Sequence, residues 1–112
     1  MRLRILGLLV LFVVSSAHAA SFDCAKARSA DEKAICAHRP LNDLDVRMST
    51  LYDVDRRLLA MGGRGALQDA QQVWLTQRHR CGANVACLTR SYTQRIAELQ
   101  KAFDEIAAHG PF

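Results

Sequence analysis

Residues 85–108 read VACLTRSYTQRIAELQKAFDEIAA, and Leu88, Tyr92, Ile96, Leu99, Phe103 and Ile106 recur along them at three- and four-residue steps. That spacing lays one apolar stripe along a helix, because 3.6 residues complete a turn. Working outward, His109-Gly110-Pro111 supplies a stop signal, and Gly82 to Asn84 separates this helix from one before it. The earlier helix is expected from about Ala66 to Arg80 and carries Leu67, Ala70, Trp74 and Leu75. A further stripe of Leu41, Leu44, Met48, Leu51, Tyr52, Leu58 and Leu59 opens at Pro40, a residue suited to a first helical turn. Gly62-Gly63-Arg64-Gly65 is expected to end that helix as a turn. Ser29-Ala30-Asp31-Glu32 has the form of a capping box and predicts a short helix to about Cys36. No stretch alternates apolar and polar residues long enough for a strand. The fold class expected is therefore all-α, a small helical bundle of one short and about three longer helices packed antiparallel.

Half of the 112 residues are hydrophobic and 23% are charged, which excludes a disordered chain. The net charge of +4 falls to +2 over residues 21–112, because Arg2 and Arg4 have no acidic neighbour in the first twenty residues. A polycationic nucleic-acid binder is disfavoured by that balance. Met1 to Arg4 is a short cationic stretch, Ile5 to Val14 is apolar, and Ala17-His18-Ala19 has the small-x-small form that signal peptidase reads. The apolar run covers only about half of a bilayer core, so a membrane anchor is the weaker reading. The expectation is a cleaved secretion signal over residues 1–20 and a single helical domain over 21–112. No lipobox precedes Cys24, which follows Ser21-Phe22-Asp23, so the product is expected to be periplasmic or secreted, without stable membrane insertion.

All four cysteines, Cys24, Cys36, Cys81 and Cys87, fall in the exported part, where disulfides are the default. Four cysteines allow three pairings. Proximity favours Cys24 with Cys36 and Cys81 with Cys87, two staples on the bundle. A zinc site with His38 or His79 is the rival, but neither spacing matches common zinc ligation, and no metal or cofactor is expected.

Charges interrupt the apolar stripes at Asp45, Asp55, Arg78 and Arg95. Buried charge is kept only when paired, so an interhelical ion-pair network is expected, with Asp45 meeting Arg78 or Arg95. At helical spacing Trp74 and Tyr52 read as core residues before they read as a ligand platform.

The order Phe22-Asp23-Cys24, Glu32, Ile35-Cys36, Leu44-Asp45 and Tyr52 continues with Gln71-x-x-Trp74-Leu75-x-x-Arg78-x-x-Cys81, then Cys87-Leu88, Tyr92 and Arg95-Ile96. This series resembles the LprI-type lysozyme-inhibitor domain family over nearly all of residues 21–112. Members are exported, small, helical and disulfide-bonded. The resemblance implies an envelope role through binding a lysozyme or related peptidoglycan hydrolase. Asp45, Tyr52, Gln71, Trp74, Arg78, Tyr92 and Arg95 are its motif residues, and their types point mostly to structural work. Secreted animal lysozymes are usually basic, so this positively charged chain has no long-range attraction to one, and any steering must be local. Asp43 and Asp53 are the candidates for such an acidic patch, although Arg47, Arg56 and Arg57 are interleaved with them and favour a solvated mixed face over it.

Catalysis finds little support. There is no G-x-S-x-G, P-loop, H-E-x-x-H or dinucleotide loop, and Asp53 and Asp55 point to different faces of one helix. No C-x-x-C occurs. The chain is expected not to be an enzyme. Two other roles stand beside lysozyme inhibition. One is an envelope interaction module or toxin-neutralising protein with another partner. The other is a binder of anionic polymer using Arg56, Arg57, Arg78, Arg80, Arg90 and Arg95.

Overall fold

The computed structural model describes residues 20–110. The expected secretion signal therefore lies outside the described residues except for Ala20. After a single 3-10 turn at Cys24–Lys26 come four helices: α1 (Ala30–Ala37), α2 (Arg39–Leu58), α3 (Met61–Arg80) and α4 (Val85–Ala108). No strand occurs among the described residues, and the all-α bundle of one short and three long helices is as the apolar spacing predicts.

The three long helices run up, down and up. Asp45 meets Tyr92 near one end of the bundle, while Leu58 and Ile106 line one cavity near the other, so α2 and α4 are parallel. Gln71 bonds Arg95 and Trp74 bonds Ser91, which sets α3 antiparallel to α4. Consecutive helices joined by two- and four-residue connections have no other way to pack. Between them lies a core of Ile35, Leu41, Met48, Trp74, Leu88, Tyr92, Ile96 and Leu99, with Phe22, Leu44, Leu51, Tyr52, Leu67 and Leu75 packed against it.

Both disulfides join the cysteines that proximity pairs. Cys24–Cys36 ties the 3-10 turn to the end of α1 with Cα atoms 5.8 Å apart, and Cys81–Cys87 spans the α3–α4 turn at 5.6 Å. That turn contains Gly82 at φ +56°, a left-handed conformation that glycine adopts at no steric cost after a helix. Asn84 then caps α4 by accepting from the Cys87 amide at 2.9 Å.

Two local expectations need correction. Gly62-Gly63-Arg64-Gly65 is not a turn: α2 ends at Leu58, α3 begins at Met61, and the glycines form its first turns. Arg64 explains the difference. Its Nε donates to the Arg56 carbonyl at 2.9 Å and its Nη2 to the Leu59 carbonyl at 3.3 Å, so the side chain closes the end of α2 from within α3. The second correction is at Ser29, which occupies the N-cap of α1 without a side-chain cap bond. Glu32 reaches past it to the Arg28 amide at 3.3 Å.

Candidate functional site

A chain of polar side chains crosses the interior and joins every helix. Asp31 on α1, 1% exposed, accepts from Arg78 Nε at 2.9 Å. Arg78 Nη1 lies 3.4 Å from the Tyr92 hydroxyl, and Tyr92 donates that hydroxyl to Asp45 Oδ1 at 2.8 Å. The other Asp45 oxygen accepts the Ser21 amide at 2.6 Å. A second chain runs beside it: Gln71 Nε2 contacts the Met48 sulfur at 3.2 Å, Gln71 Oε1 accepts from Arg95 Nε at 3.0 Å, and Arg95 Nη1 bonds Glu98 at 3.0 Å. Buried polar groups are tolerated when partnered in this way, and such networks specify one arrangement of helices.

Arg78 is also flanked by aromatic rings, with its guanidinium carbon 5.8 Å from the Phe22 centroid and 5.9 Å from that of Trp74. Trp74 meets Tyr92 edge-on at 5.2 Å and donates its indole N–H to the Ser91 carbonyl at 3.1 Å. Asp45, Trp74, Arg78 and Tyr92 thus form one packed unit with Asp31 and Phe22.

The electrostatics follow from this packing. Burial works against the charge on Asp31, but the Arg78 guanidinium bonded to it helps to outweigh that and hold the carboxyl below its ordinary value. Burial likewise opposes the charge on Arg78, while Tyr92 and Asp31 keep its proton more firmly bound than usual. The Tyr92 phenol is pushed well up by burial and by the Asp45 carboxylate. Asp55 differs from the others. It is fully closed to solvent, neither carboxylate oxygen has a hydrogen-bond partner, and burial raises its pKa although Arg95 offsets part of the effect.

The expected pairing of Asp45 with Arg78 or Arg95 is therefore indirect. Tyr92 stands between Asp45 and Arg78, and the carboxylate that pairs with Arg78 is Asp31. Sequence reasoning used Asp31 only as part of a helix cap. Its position three and four residues before Ala34 and Ile35, both buried, is the signal that places it on the inner face of α1. His79 Nδ1 lies 3.3 Å from the other Asp31 oxygen, on the rim of the same cluster.

On the surface above this unit, two clefts of about 430 and 380 Å³ share Ser21, Leu75 and Arg78. Phe22 and Glu32 line the first, and Tyr52, Asp53, Gln71 and Gln72 line the second. Tyr52 is half-buried, with the Arg56 guanidinium carbon 5.9 Å from its ring, and Asp53 pairs loosely with Arg56 at 3.6 Å. Asp43 belongs to a separate cleft with Cys36, Ala37, Arg39 and Asn42, so the structure does not bring Asp43 and Asp53 together. No group of three or more His, Cys, Asp or Glu side chains is arranged for a metal ion among the described residues. Likewise, no described helix is long and apolar enough to cross a membrane.

The family described as lysozyme inhibitor LprI matches residues 24–99, a span from the first cysteine to Leu99 that includes Asp31, Asp45, Gln71, Arg78, Tyr92 and Arg95. The chain belongs to the LprI family. It is 31% identical over 113 residues to Lipoprotein LprI of Mycobacterium bovis and equally to that of Mycobacterium tuberculosis, covering 87% of this chain. The chain spans about half the length, 56%, of these LprI relatives. No solved structure matches it.

Proposed function

We propose that this chain is an exported envelope protein that inhibits a lysozyme, or a related peptidoglycan hydrolase, by stoichiometric binding and without catalysis. The match of the LprI family to residues 24–99 carries this reading. The burial of the motif residues supports it further. Asp31, Asp45, Arg78 and Tyr92 are spent on one another inside the bundle, which fixes the helices that carry the surface above them. The paired clefts around Leu75 are the docking face we favour, with Asp53 as its acidic contact and Phe22 and Tyr52 as aromatic ones. Asp43, on its separate cleft, is the weaker contact.

The test is lysis of cell walls by chicken-type, invertebrate-type and goose-type lysozymes with rising amounts of the oxidised protein. Inhibition that saturates at a fixed molar ratio is the expected result. No inhibition of any of the three, together with capture of a different envelope or toxin protein, would favour the interaction-module reading.

A binder of anionic polymer is the remaining reading, and the structure narrows its residues. Arg78 and Arg95 are buried in internal bonds, while Arg56, Arg57 and Arg64 line a cleft of about 230 Å³. Binding that collapses with added salt would identify that role.

A further inference from the structure

The corner where α2 turns into α3 gathers cationic and apolar side chains that the buried network does not use. Arg56 and Arg57 stand in the last turn of α2 and Arg64 near the start of α3, and the three line one cleft of about 230 Å³. Arg64 is held there by the Arg56 and Leu59 carbonyls, and Arg56 lies over the Tyr52 ring. Among the described residues only Asp53 pairs with any of the three, 3.6 Å from Arg56, so the cleft keeps an excess of positive charge. Met61, 88% exposed, opens α3 one turn before Arg64 and shares its helical face. Its neighbours Gly62, Gly63 and Gly65 carry no side chain to cover it. On α2, exposed Val54 has Arg57 and exposed Leu58 beside it one turn on. Leu58 also lines an apolar groove of about 370 Å³ with Leu59, Ala102 and Ile106.

We propose that this corner is a docking surface for an anionic lipid bilayer, where the arginines meet lipid phosphates and Met61 enters the apolar layer, reversibly and without spanning it. Two attractions act together at such a surface, the negative potential of the lipid headgroups on cations and the burial of apolar side chains. A soluble polyanion supplies only the first. It gives the arginines their countercharge but leaves Met61, Leu58 and Val54 in water, whereas a bilayer accommodates both kinds of group. The acids nearest the corner do not cancel the attraction, since Asp53 is drawn to Arg56 and Glu105, on the rim of the groove, lies 3.9 Å from Lys101. No residue of the two corner clefts lines the pair around Leu75, so docking here leaves that face open to a protein partner. The inference goes beyond the inhibitor reading and does not depend on it.

The test is co-sedimentation with vesicles of saturated phosphatidylcholine, alone or mixed with an equal part of phosphatidylglycerol. The full chain is produced in an exporting bacterium, and parent and variants are compared in the form recovered, its intact mass having been read. Binding that requires phosphatidylglycerol and weakens with salt is expected. Arg57 and Met61 are exposed, so Arg57→Gln and Met61→Gln change the surface and not the core, which equal melting temperatures check. Arg57→Gln should lower the partition coefficient about five-fold, and Met61→Gln about ten-fold where the side chain is fully buried in lipid. Peroxide supplies a second readout, because an exposed methionine is oxidised and a covered one is protected. Oxidation of Met61, read by peptide mass, should slow with the anionic vesicles and not with the neutral ones. Equal binding and equal Met61 oxidation with both kinds of vesicle overturn the proposal. So does a response to Arg57→Gln with none to Met61→Gln, together with displacement by soluble polyphosphate, which would identify a polyanion site instead. Inhibition of lysozyme, present or absent, leaves either outcome unchanged.

Discussion

Tyr92 donates its hydroxyl to Asp45 across the α2–α4 interface at 2.8 Å, and both side chains are fully closed to solvent. Tyr92 also meets Trp74 edge-on and receives Arg78 Nη1, so this one phenol joins three helices. An interior of this kind fixes helix register more sharply than leucine packing alone, because a one-turn slip would strand Asp45 without its partner.

Tyr92→Phe keeps the ring and removes the link. Asp45 then loses one of its two partners and Arg78 loses an acceptor, so the expected cost is about 1–3 kcal/mol in urea unfolding. Combined with Asp45→Asn the losses should not add, since both changes break the same bond. Full additivity in that double-mutant cycle would show that the two residues act independently.

Asp31→Asn should be more damaging, by about 3 kcal/mol at neutral pH, because it leaves the buried Arg78 guanidinium without its carboxylate. The pH dependence carries a sign. The folded-state pKa of Asp31 lies below its ordinary 3.8, so its contribution is present above that value and is lost as pH falls through the lowered one. Melting temperatures of parent and Asp31→Asn should therefore converge on strong acidification. A gap that stays constant down to pH 2 would contradict this role.

Asp55 has the opposite sign. Its folded pKa is raised by burial, so its carboxyl favours the fold most below 3.8 and progressively less as pH rises through the raised value. Asp55→Asn removes a buried charge with no hydrogen-bond partner and should stabilise the protein by about 1 kcal/mol at pH 7. That gain should shrink on acidification. Thermal melts from pH 4 to 8 read it directly, and a gain that grew toward acid would point to a different cause.

How much of this was legible in the sequence depended on range. The stripe from Leu88 to Ile106 set α4, and cysteine proximity anticipated both disulfides, because these are local signals. Asp45, Arg78 and Arg95 stood out as charges on apolar faces, and all three are buried. Their partners were beyond reach: Asp31 meets Arg78 across 47 residues, and nothing in either segment states which of several carboxylates will arrive there. The Ser21 contact was equally hidden, since a backbone amide leaves no mark in a sequence. Gly62-Gly63-Arg64-Gly65 misled for a different reason. Glycine weakens a helix by about 1 kcal/mol relative to alanine, but the bonds of Arg64 to two carbonyls of the preceding helix and its end outweigh a propensity that small.

The glycine segment therefore offers a test of the fold itself. A turn with left-handed residues would reject alanine, whereas a helix welcomes it. Gly62 and Gly65 lie within α3, and a Cβ added at either meets nothing within 4 Å. Gly62→Ala and Gly65→Ala should each stabilise the protein by about 0.5–1 kcal/mol. Gly63→Ala should gain less or nothing, because its Cβ would come 3.2 Å from Leu59 Cδ2, and that side chain must shift to make room. Gly82→Ala should be destabilising despite equally open space, since φ +56° strains any residue with a Cβ. Denaturant unfolding of the four variants gives the ranking, and loss of stability at Gly62 and Gly65 together would mean that α3 begins after the glycines rather than at Met61.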